Sequence, residues 1–231
     1  MQADTQRIAL VAGANGMVGT ALLRALVDAG DYTRVIALTR RPLALESPRL
    51  VNRILRFTAL ENEMQGLACH DAYCCLGTTL REAGSPAAFR AVDHDLILSF
   101  ARGAQAAGAQ CLVVVSSAGA DSSSRNFYLR IKGQTEVTLE ALRFRALHLM
   151  QPGLLLGERR QWRLGESLAR WSLPLLNPLL LGRYERYRAI NAHVVAAAMR
   201  AAARTGRVGV LRHSHASLQS LARGDKLAPR V

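Results

Sequence analysis

With 231 residues, half of them hydrophobic, the chain holds enough apolar mass for one large α/β domain and falls short of what two independent domains usually need. Its formal charge of +13 is uneven, because 14 basic against 4 acidic side chains follow residue 150, and 28 of its cations are arginines; that habit reads as a solvated face before it reads as a nucleic-acid surface. The four cysteines show no Cys-x-x-Cys spacing, which argues against a zinc site or a disulfide framework and fits a reducing, cytoplasmic setting.

No cationic-then-apolar leader precedes Arg7. Arg7 to Ala12 is a short run of β-formers that ends in a glycine turn, and Val18, Leu22, Leu26 and Ala29 then recur at helical spacing through Met17 to Ala29. Gly30 and Asp31 stop that helix, and Arg34 to Thr39 predicts a second buried strand, which completes a βαβ unit. Further strands are expected at Arg53 to Thr58, Ala72 to Leu76, Leu112 to Ser116, Ala146 to Met150 and Arg207 to Leu211. Helices alternate with them at Asn62 to Leu67, Val92 to Ala107, Phe127 to Leu142 and Ala192 to Arg204, with a last one at the end of the chain. Such alternation predicts a Rossmann-type, doubly wound parallel sheet covered on both faces. The whole chain, 1–231, reads as one domain, and residues 152–190 as a small C-terminal cap on the substrate side. Within the cap, the apolar tract Trp171 to Leu181 is broken by Pro174 and Pro178 and is too short to span a bilayer.

Three features of this frame carry chemistry. Gly13, Gly16 and Gly19 follow the first strand and open the first helix, where glycines permit a tight turn, a close approach to a pyrophosphate and tight packing of helix on strand. At the end of the second strand, where NAD-preferring sites place an acid, stand Arg40 and Arg41, and a guanidinium there can clamp a 2′-phosphate; NADP(H) is the expected cofactor. Tyr128 and Lys132 form Tyr-x-x-x-Lys on a predicted helix, one turn apart on one face, as a phenol needs if an ammonium is to stabilise its phenolate. Ser116 and Ser117 lie just after a strand and upstream of Tyr128. Either hydroxyl can hold a substrate carbonyl, and Ser117, which leaves the strand, is favoured.

The glycine turn, the serine pair and Tyr128-x-x-x-Lys132 together resemble the short-chain dehydrogenase/reductase superfamily. The runs Cys74–Thr79, Ser116–Asp121 and Tyr128–Gly133 are similar to an atypical branch of it, the Tat-interacting-protein (oxidoreductase) branch and its bacterial relatives, from about Arg7 to about Gly206. The resemblance implies a Rossmann domain with cofactor contacts at Gly13, Asn15, Gly16, Met17, Val18, Gly19, Arg40, Arg41, Leu76, Gly77, Lys132, Leu155 and Arg163. It also implies catalytic roles for Tyr128 and Lys132. Asp93 stands near the position where many members of the superfamily carry a structural asparagine.

His213 and His215 lack a carboxylate or cysteine to complete a ligand set, so no metal is expected. Trp162, Tyr184 and Tyr187 interleave with arginines in the pattern of an acidic-ligand surface or, more blandly, of a pocket rim. The expectation is an NADP(H)-dependent oxidoreductase, a monomer or homodimer, that reduces a carbonyl of a small substrate. The alternative is a non-catalytic NADP(H)-binding regulator that acts through a partner.

Overall fold

The computed structural model describes residues 7–157 and 182–224. Seven parallel strands form its main sheet in the order β3-β2-β1-β4-β5-β6-β9, where β1 is Ile8–Ala12, β2 Arg34–Thr39, β3 Leu50–Ile54, β4 Asp71–Cys74, β5 Cys111–Val115, β6 Ala146–Met150 and β9 Gly209–His213. A second ribbon pairs β7 (Leu155–Leu156) with β8 (Ile190–Asn191). The central strands are apolar throughout because both faces are covered. Ala9 and Val11 of β1 face the core under α1 (Met17–Ala29), α7 (Ala192–Arg204) and α8 (His215–Arg223), whereas Leu10 and Ala12 face α2 (Leu60–Glu63), α5 (Ile97–Ala106) and α6 (Phe127–Ala141).

Alternation of strand and helix sends the chain outward from β1 to β3, then back across to β4, so the C-terminal ends of β1 and β4 flank a topological switch point where doubly wound sheets bind their ligands. Helix α1 fits its place: Leu22, Leu23 and Leu26 are buried, and Gly30 ends it in the left-handed conformation at φ 70°. Its far end is tied to α7 by Asp31, which meets Arg200 Nε at 2.5 Å and also Arg204.

Several expected elements shift. The third strand runs over Leu50–Ile54 rather than Arg53 to Thr58, since Phe57 sits at φ 63°, outside any strand conformation; Leu55 and Phe57 still pack on the core, which is why their apolar spacing imitates a strand. The helix expected over Val92 to Ala107 is not uniform. Its first turn and a half, Ala91–Leu96, is π-helical and is entered through two short helices, α3 (Leu80–Ala83) and α4 (Pro86–Arg90). Thr79 and Glu82 form a capping box on α3, and Ser85 caps α4 ahead of Pro86. The last strand begins two residues later than expected, at Gly209, which has φ 87°. Most of the expected cap, including Trp162, Arg163 and the proline-broken tract, lies outside the described residues.

Candidate active site at the C-terminal edge of the sheet

The turn after β1 is built so tightly that side chains are excluded at two of its glycines. A Cβ on Gly13, which has φ 80°, would come within 2.5 Å of the Cys75 carbonyl, and one on Gly19 would strike the Gly13 carbonyl. Gly16 is exposed and less confined: a Cβ there would press on Gly13 O at 3.3 Å, a tight approach but not a collision. The first turn of α1 has no side-chain cap and no acidic residue, leaving its amides aimed at the crevice, as a pyrophosphate requires. Asn15 is exposed and Met17 half-buried beside this turn, whereas the Val18 side chain is buried in the core, so that only its backbone is available.

At the end of β2, Thr39 is buried and accepts a hydrogen bond of 2.7 Å from Asn52 Nδ2, while Arg40 and Arg41 project into solvent with no ion pair or hydrogen bond among the described residues. The end of β2 thus carries two guanidinium groups and no acidic side chain.

Across the switch point, the loop after β4 carries Leu76, half-buried, and Gly77, exposed. Directly beneath Gly77 lies a buried ion pair: Lys132 Nζ is 2.6 Å from Asp93 Oδ1, with side-chain exposures of 6% and 0%. The other carboxylate oxygen, Asp93 Oδ2, accepts the Thr78 N–H at 2.8 Å. Oδ1 has no directed hydrogen bond among the described residues, so its compensation is the out-of-line ammonium contact. The π-helical turn places Asp93 here, and the Thr135 hydroxyl, one turn beyond Lys132, is 2.8 Å from the Asp93 carbonyl and from that of Ile131. Burial pushes the Lys132 ammonium toward release of its proton, but the charge of Asp93, helped by Tyr128, outweighs it and holds the group above the usual lysine range.

Tyr128 stands one turn before Lys132 on α6, half-buried, with its ring tilted against the fully buried Phe89 at 5.5 Å between centroids. Helix α6 is capped by Asn126, whose side chain accepts the Leu129 N–H at 3.1 Å. Gly133 lets the helix press on the loop at Asp121 and Ser122, where a Cβ would collide with backbone. The two serines have different fates. Ser116 is buried and donates to Glu136, itself buried and bonded to Gln151 Nε2 at 2.9 and 3.0 Å. Ser117 is half-buried, and its hydroxyl makes only a 3.4 Å contact to the Ala118 carbonyl.

On the far side of the crevice, Leu155 is half-buried in the small ribbon, and Gly157 lies close enough to Met17 that a Cβ would sit 2.7 Å from its sulfur. The chain just after the ribbon thus meets Met17 at the start of α1. Arg163 lies outside the described residues. Sequence reasoning had no signal for Glu136, Gln151 and Thr78 as members of this polar layer, because each is defined by a partner at least 15 residues away. Among the described residues no group of three His, Cys, Asp or Glu is arranged to hold a metal, and no helix is long and apolar enough to cross a membrane.

Residues 9–129 match the model of the NAD dependent epimerase/dehydratase family. Protein HTATIP2 of Rattus norvegicus is 37% identical over 164 residues, which cover 69% of this chain and 67% of that protein. The mitochondrial protein FMP52 of Eremothecium gossypii is 34% identical over 151 residues, covering 65% and 67% respectively. Among solved structures, an oxidoreductase of the short-chain dehydrogenase/reductase family from Burkholderia thailandensis has a TM-score of 0.68 at 19% identity, covering 96% of this chain and 95% of that one. MoeE5 in complex with UDP-glucose and NAD has a TM-score of 0.65 at 16% identity, over 94% of this chain and 81% of its own; at such identities these likenesses speak to the fold. A glycine-turn crevice beside a Tyr-x-x-x-Lys helix, with a family match over more than half the chain, makes this protein a member of the NAD dependent epimerase/dehydratase family and a relative of HTATIP2.

Proposed function

We propose that the chain is an NADP(H)-dependent oxidoreductase that reduces a carbonyl of a small molecule, with Tyr128 as the proton donor. The observation that carries this reading is the buried Lys132, held beneath the exposed backbone of Gly77 and one helical turn from a half-buried phenol. In the proposed reaction Gly13, Gly16 and Gly19 receive the pyrophosphate, with the backbones of Asn15, Met17 and Val18 beside them. Arg40 and Arg41 take the 2′-phosphate, and Leu76, Gly77 and Leu155 line the rest of the crevice. The bound dinucleotide supplies hydride at its nicotinamide. Ser117, rather than the engaged Ser116, holds the carbonyl oxygen, and Tyr128 protonates that oxygen while Lys132 steadies the charge left on the phenol.

Two measurements test the reading. NADPH should bind at least tenfold more tightly than NADH, as a charge-assisted phosphate clamp worth roughly 1.5–3 kcal/mol implies, and Arg40→Ala/Arg41→Ala should remove the difference. Purified protein should consume NADPH with some member of an aldehyde, ketone and quinone panel, and Tyr128→Phe should lower that turnover about 10²–10⁴-fold without loss of NADPH binding. A Tyr128→Phe variant as fast as wild type ends the assignment of Tyr128.

The excess of arginine after residue 150 favours a second reading, a non-catalytic NADP(H)-binding regulator whose basic part meets a partner. Tight NADPH binding with no turnover, and partner binding that changes with the NADPH to NADP ratio, is the outcome expected of it.

A further inference from the structure

Lysine beside a catalytic tyrosine serves by its positive charge, yet here that charge is met at 2.6 Å by a carboxylate that is itself wholly buried. A buried ion pair of this kind is costly to assemble and is poor evidence of stabilisation, so its place under the crevice calls for a reason. Asp93 also does more than neutralise. Its Oδ2 fixes the Thr78 amide at 2.8 Å, and a Cβ on Gly77 would come within 3.3 Å of its Oδ1 and 3.7 Å of Lys132 Nζ, so the carboxylate ties helix α6 to the cofactor-side loop after β4. The π-helical turn that delivers it breaks an otherwise regular helix, a distortion that occurs mostly where a side chain must be aimed.

The other titratable groups around the pair are few. Cys74 on β4 interacts with both members, but burial pushes its thiol up to about 12 and keeps it neutral. Glu136 on α6 lines the same small cavity as Lys132 and is engaged by Ser116 and Gln151. Among the described residues Tyr128 is also electrostatically linked to Lys132.

We propose that Asp93 is a positioning residue that pins Lys132 beneath Gly77 and offsets its charge, so that Tyr128 is kept as a proton donor, which suits the site to reduction rather than to oxidation of an alcohol. This rests on the carbonyl-reductase reading above. In that step the carbonyl carbon gains the hydride of the reduced nicotinamide and the oxygen gains the Tyr128 proton; the products are an alcohol, the oxidised nicotinamide and a phenolate that solvent reprotonates. With Asp93 uncharged, Lys132 would hold Tyr128 as phenolate at lower pH and the site would lean toward proton abstraction.

The test reads the phenol itself, by the ultraviolet absorption of phenolate in the NADPH-bound protein, with Tyr128→Phe subtracted to isolate the one ring. Asp93→Asn, which retains an acceptor for the Thr78 amide, should move the Tyr128 titration midpoint down by about one pH unit, and the basic limb of kcat/KM with it. Lys132→Met should move the midpoint up, and Asp93→Asn/Lys132→Met should return it close to wild type. An unmoved midpoint in Asp93→Asn overturns the proposal, as does a double variant that behaves like Lys132→Met alone. If Asp93→Asn does not fold, the comparison of Lys132→Met with the charge-free double variant still decides. The outcome is separable from the reductase reading: shifted midpoints in a protein that turns over no carbonyl uphold the Asp93 coupling and sink the activity, whereas unmoved midpoints in an active reductase do the reverse.

Discussion

Strand β4 has a buried carboxylate near each of its ends, and the two are satisfied in opposite ways. At the N-terminal end, Asp71 Oδ2 accepts from Arg7 Nη2 at 2.5 Å and from the Tyr32 hydroxyl at 2.7 Å, and Tyr32 in turn meets Tyr73 at 2.7 Å, with the two rings edge to face. Three directed hydrogen bonds link Arg7, Asp71, Tyr32 and Tyr73 there, and burial pushes the Tyr32 phenol up so that it remains a donor. At the C-terminal end, Asp93 is just as buried but leaves one oxygen with an ammonium and no aligned hydrogen bond, beneath an exposed glycine. The first end is a chain of hydrogen bonds that contributes rigidity, whereas the second is an ion pair that lies beneath the crevice where the proposed reaction would take place.

Substitutions at both ends should cost stability, and only those at the Asp93 end should also cost function. Lys132→Met is expected to have the largest effect, because it leaves Asp93 buried and unpaired, costing about 3–5 kcal/mol of stability, and also lowers turnover on any NADPH-linked substrate by about 10²-fold or more. Urea unfolding and initial rates on the same preparation measure both. Asp71→Asn should cost less, roughly 2–3 kcal/mol, since Arg7 is about a third exposed and water can replace its partner, and the folded variant should bind NADPH with unchanged affinity. A loss of affinity in Asp71→Asn beyond threefold would remove the distinction between the two ends. Tyr32→Phe should cost about 1 kcal/mol and leave both binding and rate at wild-type values.

How far the sequence revealed this arrangement depends on the range of the contact. The glycine turn was legible because its logic is local: strand, turn and helix are contiguous, and the demands at Gly13 and Gly19 come from neighbours the βαβ pattern already implies. Tyr128 and Lys132 were legible for the same reason, one turn of one helix. The partner of Lys132 was not, since Asp93 lies 39 positions away and comes within reach only through a π-helical turn, whose extra residue per turn leaves no trace in a 3.6-residue hydrophobic period. The hydrogen bond from Ser116 to Glu136 was likewise hidden, because Glu136 lies on another element; Ser117 was favoured only as the serine that leaves the strand. At the edge strand β3, Val51 and Ile54 are exposed while Leu55 and Phe57 just beyond pack inward, so the apolar pattern pointed past the true end of the strand.

A third buried polar group, distant from both ends of β4, offers the mildest test of the same contrast. His148 on β6 and His213 on β9 stack at 5.3 Å, with Nδ1 of the first 3.0 Å from Nε2 of the second and Nδ1 of the second 2.9 Å from the Ser217 hydroxyl. Burial holds their pKa values down, to about 3 for His148 and about 4 for His213. A folded state that refuses protons the unfolded chain accepts near pH 6.5 keeps its full stability above that pH. It loses stability as the pH falls toward 4, by up to roughly 1.4 kcal/mol per pH unit for each ring. The urea midpoint should thus be flat from pH 8 to 7 and decline from pH 6.5 to 4.5, and His148→Leu, which removes one of the two rings from the balance, should reduce that slope by about half. Because the pair is neutral, closed on itself and remote from Lys132, NADPH affinity at pH 7 should be the same in His148→Leu as in wild type; a pH slope that the substitution leaves intact would place the acid sensitivity in the carboxylates instead.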